Sequence, residues 1–410
     1  MRVLLSTYGS RGDVEPLVGL AVALQALGAE VRLCAPPDHE FKELVARAGV
    51  PLAPAFSSVH DWVEVAKQSE LGLPQLAARM VPAQFAAIAA AARGCDAIMA
   101  TGLFPSVAAA QSVAEMLGIH FVHAAFCAPL LPSPHHPPLQ YPGWPHPPGV
   151  TDNRALWEFN ALAMNSLFGE AVNGHRATIG LPTADNVRDH VFTRQPWLAS
   201  DPLLGPWQPT DLVDTVHTGA WLLADERLLD TELEAFLEAG SPPVYIGFGS
   251  MAMNAAPDVA RTAVEAVRAQ GCRTLLARGW AELAAIDDRD DCFVVGEVNQ
   301  QALFRRVAAV VHHGGAGTTT AAARTGASQL IVPQLADQPY WAGRVADLGI
   351  GAAHDGPVPT FKSLSAGLRT VLAPQTRQRA GVLASTIRTD GAAMAARLLV
   401  DAIGGRRPQE

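Results

Sequence analysis

A short apolar run that stops on a glycine turn and restarts as a polar, small-residue helix constrains this chain more than any other feature. It lies within residues 296–351, GEVNQQALFRRVAAVVHHGGAGTTTAAARTGASQLIVPQLADQPYWAGRVADLGIG. The pattern predicts a helix over 299–306 and a buried strand over 308–312, because AAVVH is an apolar run bounded by polar residues. Gly314, Gly315 and Gly317 then let the backbone come close to a ligand, and the run over 318–323 reads as a helix N-terminus. Such an end carries unpaired N–H groups and partial positive charge, which makes it an anion site with phosphate the usual occupant. His313 sits at the lip of the turn, where a ring N–H can donate to a phosphate oxygen. A second strand over 328–332 delivers Asp337 and Gln338 to the same carboxyl edge, where ligands of open α/β sheets bind. An isolated glycine turn would as readily serve packing alone. Joined to a histidine, a threonine run and an acid–amide pair, it points to phosphate plus a hydroxyl-rich group.

The 410 residues suffice for two or three domains, each with its own core. A net charge of −9 argues against nucleic acid or an anionic membrane as the main partner. Five cysteines, an odd number without a CxxC, fit buried free thiols in a reducing compartment. The opening MRVLLSTYG enters a strand without signal-peptide architecture, and the alanine-rich stretch from Gln84 is broken by Arg93 and Asp96. A cytoplasmic protein without a membrane span is expected.

From Arg2 onward, strands alternate with helices: RVLLST, a helix over 14–27, EVRLCA, a helix over 40–48, CDAIMA, a helix over 105–117, then IHFVHAAF. That alternation makes a parallel, doubly wound sheet. In the first loop, YGSRGDVEP, Asp13 suits a helix N-cap, with Pro16 tolerated in the first turn. A carboxylate at the end of the first strand also faces the ligand crevice, so a general base is an equal alternative. Residues 128–150 hold too many prolines for regular structure and form a long loop, whose Tyr141 and Trp144 suit a pocket wall. Its His135, His136 and His146 lack a carboxylate or cysteine at ligand spacing, so no metal site is expected. A helical segment spans 155–179, and the proline-rich stretch 196–215 separates two α/β patterns. The second half begins with PVYIGFGS, where Gly247, Gly249 and Ser250 bring another set of backbone donors toward the same anion.

Two landmarks, GSRGDVEPLVGLA and HHGGAGTT…PQLADQPYWAGRV, together resemble the family-1 glycosyltransferases, above all the actinomycete enzymes that decorate glycopeptide antibiotics of the vancomycin group. More loosely they resemble the sterol glucosyltransferases. The resemblance extends over nearly the whole chain and implies a GT-B fold, with two Rossmann-like domains facing across a cleft. It implies an acceptor domain over 1–205, a linker over 206–220 and a nucleotide-sugar domain over 221–385, while the helical segment over 386–410 either packs as an ordinary helix or crosses back to brace the first domain. By the same resemblance the enzyme is inverting, holds no permanent cofactor, needs no metal and uses a UDP- or TDP-sugar as co-substrate.

Carried over residue by residue, Asp13 is the general base, and Asp337 is counted with it as catalytic. His313 and the Gly315, Ala316, Gly317, Thr318 backbone hold the diphosphate, Asp337 and Gln338 contact the sugar, and Ser250, Arg278 and Val298 line the nucleotide pocket. Ser10, Phe104, Phe126, Tyr141 and Trp144 face a hydrophobic aglycone acceptor. The chain departs from plant members, which carry a base-stacking tryptophan and a ribose-binding glutamate where this sequence reads GEVN and TTTA. Uracil and thymine therefore stay undecided. Rival expectations are a sterol or lipid glucosyltransferase, a nucleotide-sugar epimerase of the same fold, and a catalytically silent accessory protein. An NAD-dependent dehydrogenase is disfavoured because YGSRGD is not GxGxxG.

Overall fold

The computed structural model describes residues 1–249, 256–280 and 282–405. The chain divides into two compact units, the first built from Met1–Pro202, Pro206–Leu223 and the C-terminal segment from Arg388, the second from Leu203–Gly205 and Ala224–Ile387.

Seven strands form the sheet of the first unit: β1 (Arg2–Tyr8), β2 (Glu30–Ala35), β3 (Leu52–Pro54), β4 (Ala97–Gly102), β5 (His120–Ala125), β6 (Trp197–Leu198) and β7 (Val216–His217). They pair in the order β3-β2-β1-β4-β5-β6-β7, parallel throughout. Central β1 is buried on both faces from Val3 to Tyr8, as a strand covered by helices on each side must be. The second unit has β8 (Val244–Gly247), β9 (Thr274–Ala277), β10 (Cys292–Val295), β11 (Ala309–His312), β12 (Gln329–Ile331) and β13 (Gly351–Ala353). Their order is β10-β9-β8-β11-β12-β13, also parallel.

In each sheet the chain winds outward in one direction and then returns to the middle to wind in the other. The switch falls between β1 and β4 in the first unit and between β8 and β11 in the second. Connections leave those strand pairs on opposite faces, which opens a crevice at their carboxyl ends.

Several elements differ from the expected ones. The first helix runs Arg11–Ala26, and its N-cap is Ser10, not Asp13. Asp13 sits three residues in, where its carboxylate reaches back to the Ser10 N–H and closes a capping box. The segment expected over 299–306 is an α-turn, Gln300–Leu303, capped by Asn299 and followed by a 3-10 turn, Phe304–Arg306. The segment over 155–179 is helical but interrupted by a π-helical turn, Asn165–Gly169, whose Asn165 side chain ties down Asp185 O (2.8 Å) and Val187 N (2.9 Å). The proline-rich 196–215 stretch contributes β6, and the segment 206–220 carries β7, so both extend the first sheet. In the C-terminal segment, the helix Gly391–Gly404 packs on the helix Arg11–Ala26. Gly391 seats the start of this helix against the segment after β7, since a Cβ there would stand 2.3 Å from Ala220 O.

Candidate functional site

At the second unit's switch point His312 of β11 pairs with Gly247 of β8, so the two following turns emerge side by side. Strand alternation sends consecutive histidines to different surroundings. His312 is fully buried; its Nδ1 accepts from the Gly314 N–H at 3.1 Å, which leaves Nε2 as the N–H that donates to Gln329 Oε1 at 2.9 Å. The first histidine therefore fastens the glycine turn, a task the motif alone does not reveal.

His313 is half-buried, and burial pushes its pKa down to about 4, so the ring is neutral near pH 7. Among the described residues its Nδ1 is buried without a partner. Two glycines make room for the ring: a Cβ at Gly249 would lie 3.0 Å from its Cε1, and one at Gly315 would lie 2.7 Å from its Nε2. Gly314, at φ +95, packs so tightly that a Cβ would meet Ile331 Cγ2 at 2.6 Å and Gln338 O at 3.2 Å. That close approach joins the β11 turn to the loop after β12.

The helix Ala316–Thr325 follows, with Gly315 as an N-cap that offers no side-chain acceptor. The first helical backbone bond runs from Thr319 N to Gly315 O (3.0 Å), so the N–H groups of Ala316, Gly317 and Thr318 lie ahead of the ladder. Thr319 and Thr320 donate their hydroxyls back to Gly315 O (2.9 Å) and Ala316 O (2.8 Å), and Thr318 is half-buried at the open end. Asp337 occupies the N-cap position of the helix Gln338–Asp347, and its Oδ2 accepts from the Trp341 indole at 2.8 Å. Gln338 Oε1 accepts from Gln334 N (2.7 Å) and Leu335 N (3.1 Å). Between them Ala336 adopts φ +55, a left-handed conformation that costs an alanine energy and recurs at ligand loops. Both members of the acid–amide pair thus also shape the loop that presents them.

Arg278 is exposed directly after β9, with its N–H on Val295 O at 2.9 Å. Trp280, two residues on, donates its N–H to Gly249 O at 3.0 Å, joining this loop to the β8 turn. Val298 packs against the cluster that contains Leu303, Phe304 and Val310. Neighbouring Asn299 holds the carbonyls of Asp225 (2.9 Å) and Arg227 (2.7 Å). Ser250 lies outside the described residues.

In the first unit Asp13 Oδ2 accepts from Ser10 N at 2.8 Å, and Ser10 Oγ accepts from Gly12 N at 3.3 Å. Gly9 leaves space for the carboxylate, since a Cβ there would stand 2.1 Å from Oδ2. Asp13 thus follows the carboxyl end of β1, beside β4, where Tyr8 pairs with Gly102. Phe104 and Tyr141 meet at Phe168, with ring centroids 5.0 and 5.9 Å away, and Phe104 is buried core. Burial pushes the Tyr141 hydroxyl up to about 12. Tyr141 and Trp144 close a tight turn through Pro142 and Gly143 (φ +78), and Trp144 leans on Phe159 at 5.5 Å. Phe126 stands apart, edge-on to Trp221 at 5.9 Å. His135, His136 and His146 face backbone carbonyls of Pro209, Pro137 and Pro138. Among the described residues no group of three or more His, Cys, Asp or Glu is arranged to hold a metal ion, and no helix is long and apolar enough to cross a membrane.

Fold and site together define a doubly wound α/β protein whose second unit ends a central strand in an anion-receptive helix terminus. Residues 3–129 match the glycosyltransferase family 28 N-terminal domain, and residues 274–396 match the erythromycin biosynthesis protein CIII-like C-terminal domain. The chain is 55% identical to glycosyltransferase GtfE of Amycolatopsis orientalis, covering 100% of this chain and 99% of the relative. It is 52% identical to the vancomycin aglycone glucosyltransferase of the same organism, again over 100% and 99%. Among solved structures, the glycotransferase of kitacinnamycin superposes with a TM-score of 0.74 at 20% identity, over 98% of each chain. VinC, solved with dTDP, gives 0.70 at 20% identity over 99% of this chain and 100% of its own. The chain therefore belongs to the family-1 glycosyltransferases of the GT-B fold, alongside the Amycolatopsis vancomycin-group enzymes, and it is a glycosyltransferase.

Proposed function

We propose that this glycosyltransferase moves a sugar from a TDP- or UDP-sugar to a hydroxyl of a hydrophobic glycopeptide-type aglycone, with inversion at the anomeric carbon and without a metal ion. The observation that carries this is the helix Ala316–Thr325, whose N-terminus has no side-chain cap and stands beside a neutral His313. The N–H groups from Gly315 to Thr318 and the His313 ring receive the diphosphate as its bond to the anomeric carbon breaks. Preorganised donors at a leaving group do the electrostatic work that a cation does elsewhere. Asp337 and Gln338 hold sugar hydroxyls, while Ser250, Arg278 and Val298 receive the nucleotide. Asp13 takes the proton from the acceptor hydroxyl, whose oxygen attacks the face opposite the diphosphate. Ser10, Phe126, Tyr141 and Trp144 contact the aglycone, which assigns the acceptor to the first unit and the donor to the second.

The relatives' names support both substrate classes. One, 48% identical, is a dTDP-epi-vancosaminyltransferase, and another acts on the vancomycin aglycone. The structurally similar SsfS6 was also solved with thymidine diphosphate. A cytoplasmic location fits five free cysteines. The direct test is a mass-spectrometric screen of TDP- and UDP-sugars against glycopeptide aglycones. A sugar-plus-aglycone mass is expected; a changed sugar without an acceptor would indicate an epimerase, and nucleotide binding without any product would indicate an accessory protein.

A further inference from the structure

On the edge of the second sheet away from the glycine turns, where the chain enters β11 and β12, lies a cavity of about 470 Å³. Its origin is legible in the packing. The helix Pro374–Ala384 is pinned at its far end, where Gly326 approaches so closely that a Cβ would stand 3.2 Å from Gly381 Cα and 3.6 Å from Ala384 Cβ. Ala380 and Leu383 of that end are buried. The first turn is not seated in this way: Pro374, Arg377 and Gln378, spaced to share one helix face, line the cavity. The side of the first turn that lines the space carries an exposed guanidinium and an exposed amide.

Opposite stands Arg305, on the 3-10 turn that precedes β11, and buried Phe304 with Val307, Ala308 and Ala327 supplies apolar lining. The Thr325 and Ser328 hydroxyls in the wall are spent as donors on backbone carbonyls, to Ala321 O (3.0 Å) and Val371 O (2.7 Å). No aspartate or glutamate lines the space. Arg305 and Arg377 have no carboxylate partner among the described residues, in a chain with 39 acidic and 30 basic residues. The volume falls in the range of small-molecule sites, about 300–1,000 Å³.

We propose that this cavity is a second anion site, distinct from the donor site at the glycine turn, and that it takes a small molecule bearing a phosphate or diphosphate group between Arg305 and Arg377. Guanidinium groups bind phosphate oxygens in charge-assisted pairs, and an exposed pair of this kind weakens with salt.

The test is a calorimetric titration of the full chain with inorganic pyrophosphate at low salt, in wild type, His313→Ala and Arg305→Ala/Arg377→Ala. Wild type should show two classes of site. His313→Ala should weaken one and keep the other. The double arginine variant should lose the second class by about tenfold or more, keep the first, and turn over at the wild-type rate. Arg305→Lys/Arg377→Lys, which keeps the charge, should lose less. A single class of site in wild type, or a second class that survives in the double alanine variant, would overturn the proposal.

Discussion

One carboxylate oxygen of Asp13 closes the capping box at 2.8 Å from Ser10 N, a bond that the amide oxygen of asparagine can also accept. Asparagine cannot take a proton from an acceptor hydroxyl, and general-base assistance is worth ~10²–10⁴-fold. Asp13→Asn should therefore keep its melting temperature and donor affinity while kcat falls by at least about 10²-fold; full kcat on a verified acceptor would remove Asp13 from the mechanism. At His313 the ring is held by two glycines and by burial, without a hydrogen-bond partner on Nδ1 among the described residues. His313→Ala should cost TDP affinity and turnover with little loss of stability, which calorimetry alongside a thermal melt can separate. His123, His312 and His313 are all held neutral by burial, with pKa values pushed down to about 3, about 3 and about 4. Their unfolded counterparts protonate near pH ~6.5. Below that pH the unfolded chain binds protons that the folded chain refuses, so stability is full above about 6.5 and declines toward about 4. A melting temperature that stays flat over that window would contradict neutral burial of the three rings.

Strand, turn and helix around the second switch point form one device, and its tolerances are set by glycine. Gly315 has φ −62, which any residue adopts, so alanine there adds no backbone strain. Its Cβ would nevertheless stand 2.7 Å from His313 Nε2 and displace the ring. Gly315→Ala should fold normally and bind TDP about tenfold more weakly, a loss of about 1.4 kcal/mol; unchanged affinity in a titration would show that the ring position does not matter. Much of this device was legible in the sequence, because AAVVHHGGAGT combines a buried-strand run with a turn that admits only small residues. What the pattern did not reveal depends on long-range pairing. His312 reads like a twin of His313 until Gln329 of the neighbouring strand is brought to 2.9 Å from it. Asp13 looks like a helix cap by type, yet Ser10 takes that position because the helix opens three residues earlier. Strands β6 and β7 have two residues each, too short for any periodicity, and only their pairing beyond β5 reveals them.

At the scale of the whole molecule, the alternating strand and helix pattern accounts for two parallel sheets, and the order of the strands accounts for where chemistry collects. The landmarks GSRGDV and HHGGAGT follow β1 and β11, each beside the point where its sheet reverses direction. The C-terminal segment completes the first unit: Gly391→Val would push into the Gly219 and Ala220 backbone, and overpacking of this kind costs ~1–3 kcal/mol. Its melting temperature should fall by several degrees, and an unchanged value would mean that the closing helix contributes little to that unit. The central claim, transfer with inversion onto an acceptor hydroxyl without a metal ion, reduces to one measurement. A product made from a TDP-α-sugar and a glycopeptide aglycone in the presence of EDTA is examined by NMR at its anomeric proton. The account predicts full product formation and a β-glycoside; an α-glycoside, or no product until a divalent cation is restored, would contradict it.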